Sequence, residues 1–125
     1  MRRYSPTVVE HFTNPRHVGR FNDPDVIAEV ANPCCGDRLR LEARLREGRI
    51  TECAFLAHGC AATIAIGSLL AEAITGQTIE QLVGHDEEWV ASLAGGLHPS
   101  QRHCAVLGND LLHALVRNAG KGVHP

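Results

Sequence analysis

The chain has 125 residues and a mass of 13.5 kDa, with 44% hydrophobic and 21% charged residues. That is room for one ordinary domain, predicted to span residues 1–125, and enough apolar surface to exclude a disordered chain. The net charge of −2 and pI near 6.4 exclude a generic nucleic-acid binder, and no run approaches the ~20 apolar residues of a membrane span.

The N-terminus, Met1-Arg2-Arg3-Tyr4-Ser5-Pro6, leads directly into a helix signal without an apolar segment, so a cytoplasmic location is expected. Ser5 is a good N-cap, and proline at the first helical position has no N–H to leave unpaired. The helix is predicted to run to about Phe12, with Val8, Val9 and Phe12 on one side, before Asn14-Pro15 ends it. Val26 to Ala31, short and partly β-branched, reads as a first strand. Arg38 to Arg46 alternates strictly. Leu39, Leu41, Ala43 and Leu45 face one way, and Arg38, Arg40, Glu42, Arg44 and Arg46 form a solvated face. Glu47-Gly48 is a hairpin turn, and Arg49 to Ala57 returns as the third strand, carrying Cys53 and Phe55 on one face.

From Ala61 the period changes. Ala61 to Thr75 places Ile64, Ile66, Leu69, Leu70 and Ile74 around much of a circumference, the mark of a buried helix, which Gly76 closes. Thr78 to Gln81 is a capping box, and Asp86 caps a further helix whose Trp89, Val90 and Leu93 are expected in the core. Leu97 to Arg102 is a loop. Ser100 is expected to cap the last helix, with Cys104, Leu107, Leu111, Leu115 and Val116 on its apolar side. The predicted fold is α+β: a three-stranded antiparallel sheet with helices packed on one face, preceded by a short N-terminal helix.

Five cysteines in a chain without an export signal point to a reducing compartment, where thiols are packing groups, metal ligands or nucleophiles. Cys35 falls between the first two strands, Cys60 between the third strand and the buried helix, and Cys104 on the first turns of the last helix. Two of these positions are near helix N-termini, where free amides favour a thiolate. The three can converge over one end of the sheet, with Asp37 or His103 as a fourth donor. Their gaps of 25 and 44 positions contain no C-x-x-C pair, so spacing alone leaves a metal centre and ordinary buried thiols both open. Cys53 reads as core packing, and Cys34 as a small packed thiol rather than a spare sulfur carrier. His58 reads as a surface residue beside the candidate site.

At these residues the sequence resembles the IscU/NifU-type iron–sulfur cluster assembly scaffold family. The resemblance covers Tyr4-Ser5, Asn14-Pro15-Arg16-His17-Val18-Gly19, Cys35-Gly36-Asp37, Gly59-Cys60 with its small-residue helix, and His103-Cys104, in the family's order over nearly the whole chain. It implies a non-catalytic scaffold, closer to IscU than to SufU, that receives persulfide sulfur from a cysteine desulfurase. The scaffold combines that sulfur with Fe²⁺ into a transient [2Fe–2S] cluster and passes it to apo iron–sulfur acceptor proteins. Carried over, Cys35, Cys60 and Cys104 are thiolate ligands, Asp37 is the oxygen ligand that keeps the site labile, His103 is an alternative or neighbouring ligand, and Cys104 is the persulfide acceptor. Zn²⁺ is an expected occupant of purified protein. Where many IscU proteins carry L-P-P-V-K, this chain reads Leu97-His98-Pro99-Ser100-Gln101, which leaves the use of a DnaK-type chaperone pair open. A monomer and a homodimer are both compatible with the sequence, and no nucleic-acid or membrane partner is expected. The alternatives are a structural or regulatory zinc protein and a small electron carrier. A carboxylate among the ligands argues against the carrier, because carriers normally use thiolates throughout.

Overall fold

A computed structural model describes residues 4–32 and 36–122, the last two by backbone alone. Cys34 and Cys35 therefore lie outside the described residues. The element order is α1 (Pro6–Thr13), β1 (Val26–Asn32), β2 (Asp37–Arg46), β3 (Arg49–His58), α2 (Ala61–Ile74), α3 (Ile79–Val83), α4 (Glu87–Leu93), a 3-10 turn (Pro99–Gln101) and α5 (Arg102–Gly122). The strands form one antiparallel sheet in the order β1-β2-β3, with helices packed on one face. This is the α+β arrangement expected from the sequence.

Local chemistry accounts for the elements. Ser5 accepts the Val8 N–H at 3.0 Å, while its hydroxyl donates to the Ala94 carbonyl and ties the start of α1 to the end of α4. The β2–β3 turn places Glu47 at φ 53 and Gly48 at φ 77, the paired left-handed conformations that match a tight hairpin to strand twist. Leu39, Leu41, Ala43 and Phe55 turn inward, and α2 and α5 lie over them. Gly67 makes the close approach of α2 possible: a Cβ there would sit 2.5 Å from the Phe55 ring. The capping box at Thr78–Gln81 and the Asp86 cap are both present. Cys53 is buried as expected, and burial pushes its thiol up to about 11.

The structure corrects four expectations. Phe12 is 37% exposed, and His11 takes the inward place beside Val8. Ser68 makes this possible. Its hydroxyl accepts the Arg16 N–H at 2.9 Å and so is free to donate to His11 Nδ1 at 2.8 Å. Glu42 does not belong to a solvated face, being only 2% exposed. The segment between α1 and β1 covers it, and the Phe21 N–H and the Arg40 guanidinium bond its two oxygens at 2.8 and 3.0 Å. Burial alone would raise the Glu42 carboxyl, but these donors outweigh it and hold the group below its ordinary range. Trp89 and Leu93 are half-buried at the edge of the core, with the Trp89 ring stacked on His85 at 3.6 Å. Finally, Ser100 does not cap the last helix. His98 accepts the Ser100 N–H, Pro99 opens a 3-10 turn, and α5 begins only at Arg102. No described helix is long and apolar enough to cross a membrane.

Candidate metal centre

Antiparallel pairing brings the β1–β2 connection and the end of β3 to the same edge of the sheet: Asn32 faces Asp37, and Arg38 faces His58. The chain then turns through Gly59 into α2, with Cys60 at the N-cap position. The first turn of α5 crosses the same end and delivers His103 and Cys104. One ligand atom from each of Asp37, Cys60, His103 and Cys104 lies within 4.8 Å of every other. The sequence supplied these four names; the fold supplies their convergence. It unites both candidates for the fourth donor, Asp37 and His103. Cys35 lies outside the described residues, and His58 is exposed on the other side of the sheet.

The donor spacings are those of a small coordination shell. Sulfur to metal is ~2.3 Å and nitrogen or oxygen to metal ~2.0–2.1 Å, so tetrahedral geometry puts like donors about 3.8 and 3.3 Å apart. Here Cys60 Sγ and Cys104 Sγ are 3.7 Å apart, His103 Nε2 and Asp37 Oδ2 are 3.3 Å apart, and Cys104 Sγ and His103 Nε2 are 3.5 Å apart. Asp37 is 3% exposed, and among the described residues its Oδ2 makes no hydrogen bond, with His103 Nε2 standing 3.3 Å away. A buried carboxylate oxygen without a partner is costly unless a cation balances it. The residues present therefore fit a metal ion or cluster, with soft thiols and one hard oxygen.

The two thiols differ in state. The hydrogen bond that Cys60 Sγ shares with Cys104 Sγ at 3.7 Å acts most strongly on Cys60, and the Thr63 hydroxyl and the amide end of α2 add to it against the opposing effect of burial. Together they bring Cys60 down to about 5. Cys104, sharing that bond and fully buried, is pushed well above the ordinary thiol range. The pair thus favours a thiolate at Cys60 over one at fully buried Cys104 in the metal-free protein.

Asp37, Cys60 and His103 open on a shallow cleft of about 420 Å³ completed by Tyr4, Gly59, Ser100 and Gln101. Sequence reading did not single out Gln101 or Thr63 as site residues. Gln101 is buried with its Oε1 unpartnered. Thr63, fully buried, touches both sulfurs; its only sequence signal is a hydroxyl three residues past Cys60 in an otherwise alanine- and isoleucine-rich stretch. A second cavity of about 450 Å³, lined by Leu45, Gly48, Ile79, Val116 and Ala119 among others, lies at the opposite end of β2 and contains no comparable donor group.

With this geometry in place, comparison with known proteins defines the class. Residues 3–121 match the NifU-like N terminal domain, and the chain belongs to that family. Iron-sulfur cluster assembly scaffold protein IscU 1 of Archaeoglobus fulgidus is 38% identical over 113 residues, covering 90% of this chain and 74% of the relative. The protein of Azotobacter vinelandii named iron-sulfur cluster assembly scaffold protein IscU is 38% identical over 119 residues, covering 92% of each chain. The crystal structure of the N-terminal part of a NifU-like protein from Brucella abortus shares the fold, with a TM-score of 0.76 over 95% of both chains at 20% identity.

Proposed function

We propose that this chain is an iron–sulfur cluster assembly scaffold, the role stated in the names of its IscU relatives. The observation that carries this reading is the convergence of two cysteine sulfurs, an imidazole and an unpartnered buried carboxylate oxygen within 4.8 Å. The cluster is cargo. Cys60, Cys104 and Cys35 supply thiolates, which suit iron and sulfide, and Asp37 supplies a hard oxygen that binds the soft cluster less firmly. A scaffold has to release what it builds, and an incomplete thiolate shell serves that end.

Sulfur arrives from a cysteine desulfurase. Cys60 takes the proton of Cys104 across their 3.7 Å contact, the Cys104 sulfur attacks the outer sulfur of the donor's cysteine persulfide, the S–S bond breaks, and the donor's leaving sulfur takes up a proton while Cys104 carries the persulfide. Cys104 is fully covered, so the residues over it must open when the donor docks. Iron is supplied as Fe²⁺; reducing two persulfide sulfurs to sulfide takes four electrons, two from the two irons and two from an external thiol reductant such as excess cysteine, which leaves as disulfide, and the resulting [2Fe–2S] cluster passes to apo iron–sulfur proteins in the cytoplasm. In this reading the protein acts as a scaffold and sulfur acceptor rather than as an enzyme, the role its relatives' names state.

One observation also favours zinc. Three of the six donor pairs stand 3.3–3.7 Å apart and all lie within 4.8 Å, a set that a tetrahedral ion could draw together, and Zn²⁺ held by Asp37, Cys60, His103 and Cys104 would close the resting site. Anaerobic incubation of metal-free protein with Fe²⁺, cysteine and a cysteine desulfurase separates the two readings. The scaffold reading expects visible absorption of a [2Fe–2S] centre with equal iron and sulfide, lost in Cys60→Ser and Cys104→Ser. Protein that forms no such centre yet still binds Zn²⁺ would leave the zinc reading.

A further inference from the structure

Thr63 belongs to the first turn of α2, is 0% exposed, and places its Oγ1 3.4 Å from Cys60 Sγ and 3.4 Å from Cys104 Sγ. Among the described residues these sulfurs are the hydroxyl's only hydrogen-bond partners. A hydroxyl has one hydrogen to donate, so it can serve only one sulfur at a time. While Cys104 carries its proton, the two thiols also bond each other at 3.7 Å. Once both sulfurs bind metal they are acceptors only, and that mutual bond is gone.

The demand for donors is then unequal. Cys60 is the N-cap of α2, so its sulfur lies at the free-amide end of that helix, although no amide there makes a hydrogen bond to it. Cys104 has His103 Nε2 at 3.5 Å, but wherever that nitrogen binds the metal, as in a four-donor site of Asp37, Cys60, His103 and Cys104, it has no hydrogen left to donate. Among the described residues, the Thr63 hydroxyl is the remaining side-chain donor within reach of Cys104. We propose that Thr63 is a positioning residue of the loaded centre, its hydroxyl donating to the metal-bound sulfur of Cys104 and so setting both the hold and the electronic character of that ligand. The inference rests on the reading of Cys60 and Cys104 as metal ligands. Hydrogen bonds to coordinated sulfur lower its electron donation and raise the potential of an iron–sulfur centre, and loss of such an outer partner typically costs about 10–100-fold in metal affinity.

The test uses Co²⁺ alone as probe, with wild type, Thr63→Val and Thr63→Ser. Valine keeps the volume and loses the hydroxyl, while serine keeps the hydroxyl and loses the methyl. Thermal melts of the metal-free proteins verify that each variant folds, and Thr63→Ala is the substitute if valine does not. Thr63→Ser is expected to match wild type in affinity and in the energy of its sulfur-to-cobalt charge-transfer band. Thr63→Val is expected to bind about tenfold more weakly, with the band moved to lower energy, as an unbonded thiolate requires. Valine equal to wild type, or serine impaired while valine is intact, would overturn the inference and leave Thr63 a packing residue. Wild type without a sulfur-to-cobalt band would instead sink the ligand reading on which the inference stands.

Discussion

Gly59 stands directly against the Asp37 carboxylate: a Cβ on Gly59 would lie 2.2 Å from Asp37 Oδ1 and 3.3 Å from the Asp37 Cα. Its φ of +149 is also one that side-chain-bearing residues rarely adopt. The glycine lets β3 turn into α2 over the start of β2, which brings the Cys60 sulfur to the carboxylate.

Gly59→Ala should therefore damage site and stability together. The backbone conformation alone costs about 1–3 kcal/mol, and the carboxylate must move as well. Denaturant melts of metal-free protein should show the loss, and Co²⁺ titration should show weakened binding. Adding Asp37→Gly should recover part of the stability but none of the binding. Melts that simply add the two losses would contradict the contact.

Asp37→Ala separates the two duties of the carboxylate. In metal-free protein it removes a buried group with an unpartnered oxygen, so thermal stability should hold or rise. In loaded protein it removes the hard ligand, and the cluster should resist extraction by a chelator for longer than in wild type. Faster loss of the cluster's visible absorption from the variant would count against the assignment of Asp37 as the group that keeps the centre labile.

The unequal thiols give a pH signature. With Cys60 near 5, its thiolate fraction stays full from pH 8 to 6 and falls only as pH drops through about 5. Alkylation of metal-free protein by iodoacetamide, mapped by peptide mass, should therefore modify Cys60 at a rate nearly flat over that range and leave Cys104 untouched. In Cys104→Ala the S–H donor is gone, and Cys60 should move back toward the ordinary thiol range near ~8.5. Its labelling should then slow with each step down in pH below that value. A wild-type Cys60 that already slows between pH 8 and 7 would contradict the pairing.

His11 adds a pH dependence far from the thiols. Burial, then the nearby Arg16 charge, holds its imidazole below the ordinary 6.5. The unfolded chain binds the proton more readily, so this contribution is complete above about pH 6.5 and is lost as pH falls through the window below it. Urea midpoints of wild type should drop between pH 7 and 5.5 by more than those of His11→Gln, and equal drops would exclude His11 as the source.

Much of the fold is legible from local chemistry: the Ser5-Pro6 start, the alternation of β2, the Glu47-Gly48 turn and the Thr78 capping box all act within a few residues. The misreadings come from long-range partners. Phe12 and His11 exchange places because Ser68, 57 positions on from His11, satisfies the imidazole. Glu42 is buried because a preceding segment supplies the Phe21 amide. The exception is local: His98 Nδ1 lies 2.8 Å from the Ser100 hydroxyl and so occupies the group that a serine cap would turn to the helix amides, and α5 starts later. At the candidate centre the residue types were visible, and their convergence over one end of the sheet was an expectation that spacing alone left open. Asp37, Cys60 and His103 come together through strand pairing and a helix crossing, neither of which their spacing encodes, while Thr63 gives almost no signal until both sulfurs are seen around it.

The most direct test of the scaffold assignment is transfer. Protein loaded anaerobically with Fe²⁺, cysteine and a cysteine desulfurase is mixed with an apo-ferredoxin in the presence of an iron chelator, and the acceptor's cluster spectrum is followed. Transfer that resists the chelator, and disappears in Cys35→Ser, Cys60→Ser and Cys104→Ser, is the expected result. A cluster that forms on the protein and stays there while the acceptor remains apo would contradict the assignment and describe an electron carrier instead.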